Sequence, residues 1–124
     1  MSHAVEEVLT DFRRRYPSTP FAVMTPLAEG CDWIGARVAV KLGARLIVPL
    51  PMTRDLFEGD LRTEDARKTF DELLGQADEW FEIPHADGVT YEQLSIPGPE
   101  RDRQYEAVGV YIIRNSQVLI AMWD

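Results

Sequence analysis

The run Leu46-Ile47-Val48-Pro49-Leu50 is apolar at every position. It has strand length, and the lack of alternation means that both of its faces are covered. Strands covered on both faces belong to parallel sheets with helices above and below, so this run already narrows the chain to an α/β fold. Its surroundings agree. Upstream, 29–42 places Ile34, Val38 and Leu42 on one helical face, and Gly43 follows as the helix-closing glycine. Downstream, 64–76 places Ala66, Phe70, Leu73 and Leu74 on another.

The same periodicities predict a helix over 4–16 (Val5, Val8, Leu9, Phe12, Tyr16), stopped by Pro17, and a short strand over 21–24. They also predict a strand over 79–83, a helix over 102–115 with Asp102 as N-cap, and a last strand over 118–123. The stretch 84–100, rich in Pro, Gly and polar residues, reads as a long mobile surface loop. The order α-β-α-β-α-β-α-β predicts a Rossmann-like, doubly wound parallel sheet in a three-layer α/β/α sandwich. At 124 residues the chain is expected to be one domain. Doubly wound folds usually open with a strand, whereas this sequence opens with a helix. It therefore reads as an incomplete domain or part of a larger protein.

Charge and composition narrow the function. The formal net charge of −8 repels nucleic acid, and the one dense basic cluster, Arg13-Arg14-Arg15, stands at a helix end where cations suit the dipole. No apolar run approaches the roughly 20 residues of a bilayer span, and no signal peptide opens the chain, so a cytoplasmic protein is expected. The single cysteine, Cys31, suits a reducing compartment; with only two histidines in the chain, no zinc-like cluster is expected.

In open α/β sheets, ligands sit beyond the carboxyl ends of the strands. That rule selects Thr25 to Asp32, Pro51 to Asp60, the loop after Pro84, and Asp124. In the first, Thr25 offers a hydroxyl, Gly30 allows close approach, and the start of the helix presents unpaired N–H groups. Glu29 and Asp32 oppose a bare phosphate there and suit ribose hydroxyls or a base edge; their other use is to cap the helix. Arg54 can grip a phosphate or pair with Asp55 or Glu58, and Phe57 can pack on a base or in the core. Arg101 and Tyr105, on the last helix, complete the list of candidates. No nucleophile–base pair is evident: Cys31 lies at a helix start, which lowers a thiol's pKa, but reads as a small buried side chain. No catalytic or metal-ligating residue is therefore assigned.

The string TPLAEGCDWIGARVAVKLGARLIVPLP, then RDLFEGD, then RDRQYEAVGVYIIRNSQVLIAMWD, resembles a bacterial branch of the SLOG superfamily. That superfamily also contains the Lonely-guy phosphoribohydrolases, DNA-processing protein A and the cytoplasmic N-terminal domain of melastatin-type TRP channels. The resemblance covers about 25–124. It implies a Rossmann-like domain that binds a nucleotide or a nucleotide-derived molecule, of ADP-ribose or adenine type, as a sensor that is homo-oligomeric or fused to an effector. On that model Leu27, Glu29, Gly30 and Asp32 line the first loop, Arg54 and Phe57 the second, and Asp124 the last. Three departures matter. Cys31 replaces an alanine, the first strand with its Gly-His-Arg turn is absent, and so is the glycine-rich step after Trp-Asp. The Lonely-guy signature Pro-Gly-Gly-x-Gly-Thr-x-x-Glu is also absent, which argues against that chemistry. An N-glycosidase using Glu29 or Asp124, and an assembly domain with a vestigial pocket, are the alternatives.

Overall fold

A computed structural model describes residues 2–119. Three strands, β1 (Ala22–Met24), β2 (Arg45–Leu50) and β3 (Glu79–Glu82), form a parallel sheet in the order β1-β2-β3. Among the described residues six helices surround it: α1 (Ser2–Arg15), α2 (Cys31–Lys41), α3 (Arg54–Glu58), α4 (Glu64–Gln76), α5 (Tyr91–Leu94) and α6 (Pro99–Arg114). The α/β/α architecture expected from the apolar run is thus present. Leu46, Val48 and Leu50 of that run are fully buried. The C-terminal strand expected over 118–123 falls largely outside the described residues, and Asp124 does so entirely.

Strand alternation separates the two helical layers. On β3, Trp80 lies under the Arg54 guanidinium, which also covers Phe70 of α4, whereas the next residue, Phe81, meets the Tyr111 ring of α6 edge-on at 5.5 Å. The parallel register carries this division across the sheet: Val48 pairs with Trp80, Pro49 with Phe81, and Val23 with Leu46. One face therefore carries Val23, Leu46, Val48 and Trp80 under α1, α2 and α4. The other carries Ala22, Met24, Ile47, Pro49 and Phe81 toward α6.

Most of the core lies between β2, α2, α4 and the segment 52–61, with Phe57 and Phe70 as its largest side chains. A second cluster joins α1 to α2 through Val5, Leu9 and Val38, with Phe21, Val23, Ile34 and Leu42 against them. Lys41 pairs with Glu6 at 2.8 Å, and Arg13 donates to the Leu42 carbonyl, so α1 is fastened along α2. Arg14 and Arg15 fold back on Asp11, so two of the three arginines of the basic cluster serve their own helix.

Two expectations are corrected, and one helix is added. The stretch 84–98 is no bare loop: Thr90 and Gln93 form a reciprocal capping box that starts α5, which buries Leu94 completely. α6 begins at Pro99 after Gly98, three residues before the expected cap, because proline's fixed φ suits the first helical position. The short helix α3 went unanticipated, since five residues leave too little periodicity to read.

Candidate functional site

The loop between β1 and α2 is braced almost wholly by its own groups. Asp32 Oδ2 accepts the Ala28 N–H at 2.9 Å, and Thr25 Oγ1 accepts the Leu27 N–H at 3.3 Å. Trp33 Nε1 donates to the Leu27 carbonyl at 3.0 Å. These bonds hold Leu27 at φ 59°, a left-handed conformation that costs a non-glycine residue about 1–2 kcal/mol. The fully buried Leu27 side chain offsets that cost. Gly30, at φ 101°, occupies a region that side chains avoid, and it receives no side-chain cap. Neither Glu29 nor Asp32 therefore caps α2. Asp32 reaches back to the loop instead, and Glu29 stays exposed on the turn.

Burial raises the Asp32 carboxyl above its ordinary value, and the bonds from Ala28 and Thr25 oppose the shift only in part. Asp32 and the nearly buried Thr25 stand at the carboxyl end of β1, at one end of a groove of about 870 Å³. Thr25, Pro26, Cys31, Asp32 and Gly35 line its mouth; the rest of the lining is largely apolar, from α1, β1 and α6, with Thr19, Asn115, Ser116 and Gln117 as polar exceptions. Asp32 carries the only charge among the described residues that line it.

The remaining candidates gather elsewhere. Phe57 is 2% exposed, its ring 5.4 Å from that of Phe70 and 6.3 Å from that of Tyr105, so it belongs to the core and has no face for a base. Arg54 pairs with Glu58 and Asp71, each at 2.9 Å, and its guanidinium lies over Phe70 and Trp80. Glu58 is the main reason its pKa is raised. Arg101 pairs with Asp60 at 2.6 Å, and Tyr105 donates to the same carboxylate. Burial first, and then Asp60, raise the Tyr105 hydroxyl far above its ordinary value, so it stays a proton donor. Arg54, Phe57, Arg101 and Tyr105 thus serve the segment after β2, whereas Thr25, Leu27, Gly30 and Asp32 come together after β1.

Sequence reasoning missed Gln104 and Trp33. Gln104 is fully buried and bridges three backbone groups: it donates to the carbonyls of Pro51 at 2.8 Å and Pro84 at 3.4 Å, and accepts the Ala86 N–H at 2.7 Å. A glutamine at a core position of the helical repeat was the available signal. Among the described residues no group of His, Cys, Asp and Glu could hold a metal ion, and no helix is long and apolar enough to cross a membrane. Comparison with protein-family models, curated proteins and solved structures finds no match.

Proposed function

We propose that the protein binds a nucleotide-derived small molecule at the carboxyl end of β1, as a regulatory module. One observation carries this reading: a half-buried carboxylate and a hydroxyl, Asp32 and Thr25, are held together at the mouth of a groove lined by no arginine or lysine among the described residues. Such a pair accepts hydrogen bonds from neutral hydroxyls and repels phosphate, so the end of the ligand that enters is a ribose or base edge. Any phosphate stays outside the mouth. A sensing role, through a homo-oligomer or a fused effector, belongs to the same proposal.

Titration calorimetry of the full chain against adenosine, AMP and ADP-ribose tests it. Saturable binding is expected for at least one of them. Asp32→Asn, which removes a charge-assisted bond of about 1.5–3 kcal/mol, weakens it by roughly ten- to a hundredfold. Arg54→Ala changes it by less than about twofold, because Arg54 is engaged with Glu58 and Asp71. The absence of heat and of any thermal shift across the three ligands overturns the proposal.

A further inference from the structure

Gly35 has no local reason to be glycine. It lies inside α2 with helical backbone, the conformation in which alanine costs less than glycine. Packing does not call for it either. Beyond its own helix backbone, a methyl group added to Gly35 meets no atom of the described residues within 4 Å. Gly59 shows the contrast: there the same methyl group would stand 3.2 Å from the Leu56 carbonyl oxygen.

What matters is where that methyl group would stand. Cys31, Asp32 and Gly35 all line the mouth of the groove. Gly35 follows Cys31 by four residues and Asp32 by three, so the three share one face of α2. A helical side chain leans toward the amino end of its helix. Any side chain at 35 would therefore cover the turn that holds Cys31 and Asp32. Glycine leaves the wall beside the Asp32 carboxylate bare.

Gly109 of α6 repeats the pattern from the other helical layer. It too lies inside a helix, is half-buried and lines the same groove, and a methyl group added to it meets no described atom within 4 Å. The depths agree. Gly35 lies four residues, about 6 Å, down α2 from its start at the carboxyl end of β1. Gln104 binds the Pro51 carbonyl just past the carboxyl end of β2, and Gly109 lies five residues, about 7.5 Å, further along α6. Gly75 of α4, also free of such contacts, is exposed and lies away from the groove.

We propose that Gly35 sets the shape of the ligand that the mouth admits: the face of a ribose or base ring lies on its bare Cα while a ring substituent bonds to Asp32. This rests on the reading of the mouth as a ligand site. The distances suit it. A hydroxyl bonded to a carboxylate lies about 2.5–3.0 Å from it, and a packed ring carbon about 3.5–4.0 Å from the Cα. Residues three apart on a helix are about 5–6 Å from each other, so one ring spans Asp32 and Gly35. A methyl group at 35 advances the wall by about 1.5 Å and lifts the ring away from Asp32. The ligand class is then one whose entering end is a compact ring with a hydrogen-bond donor at its rim, not a branched or bulky group.

Thermal unfolding and titration calorimetry of the full chain test it together. Gly35→Ala is expected to unfold at a temperature no lower than the wild type, because alanine suits a helix interior. It is expected to bind adenosine, AMP or ADP-ribose, whichever the wild type binds, about tenfold or more weakly, as on losing one charge-assisted hydrogen bond. Gly75→Ala makes the same change on the exposed face of α4 and leaves binding within about twofold. A smaller loss in Gly35→Ala overturns the inference and leaves the ligand site standing. A lowered unfolding temperature in Gly35→Ala also overturns it, since the glycine then serves the fold. So does an equal loss in Gly75→Ala, which would trace the effect to helix propensity alone. A wild type that binds none of the three ligands overturns the reading of the mouth, and this inference with it.

Discussion

The loops that follow β1 and β2 leave the same end of the sheet, yet they are built for opposite purposes. After β2, Pro51, Met52, Phe57 and Leu61 are buried, Arg54 is held by two carboxylates, and Asp60 ties the segment to Arg101 and Tyr105 of α6. After β1, the side chains brace a short turn and leave Asp32 and Thr25 at the mouth of a groove. A charged or aromatic residue past a buried strand is thus no evidence of a site until its partners are known. The difference lies in packing: the second segment has α4, α5 and α6 around it, whereas the first lies at the margin of the sheet.

The contrast breaks first at Phe57. Phe57→Ala is expected to cost about 3–5 kcal/mol by urea unfolding; a loss under about 1 kcal/mol would mean that the segment after β2 is not core. Gln104→Ala comes next, at about 2–3 kcal/mol, because it strands the buried Pro51 carbonyl and the partly buried Ala86 N–H. On the other side of the comparison, Trp33→Phe keeps an aromatic ring, though a smaller one, and removes the bond to Leu27, and a loss of at least about 1 kcal/mol is expected. Arg54→Ala, removing partly exposed ion pairs, is expected to stay within about 1 kcal/mol and to shrink further in salt.

Asp32 sharpens the comparison through pH. Its folded-state pKa is raised, so the folded chain holds the proton more tightly than the unfolded one. Its contribution to stability is therefore fullest below the ordinary carboxyl value of 3.8 and declines as pH rises from there through the raised value. Unfolding midpoints of the wild type and Asp32→Asn, compared across mildly acidic to neutral pH, should show the wild type losing stability relative to the variant as pH rises. The opposite slope would mean that the bonds from Ala28 and Thr25 outweigh burial.

Much of the fold was legible in the chain. The continuous apolar run 46–50 implied a strand covered on both faces, and the spacing of Ala66, Phe70, Leu73 and Leu74 set out α4 over its observed span. Both signals are local, since a strand's coverage and a helix's buried stripe are written in consecutive residues. The capping box Thr90-Tyr91-Glu92-Gln93 was local too, and is visible in retrospect as the start of α5. The candidate site divided differently. Thr25, Leu27, Gly30 and Asp32 are close in sequence, so one turn brings them together.

The tertiary structure alone decided the rest. Arg54 meets Asp71 from 17 residues away, Tyr105 meets Asp60 from 45, and Gln104 meets Pro51 from 53. No spacing rule reaches so far: which carboxylate neutralises an arginine, or which carbonyl a glutamine satisfies, depends on how layers of the sandwich stack. The same holds for the margin of the sheet. By itself the sequence determined that there would be buried parallel strands and a polar turn after the first. Only the packing of α1 and α6 decided that, among the described residues, β1 would stand at the margin of the sheet beside a largely apolar groove.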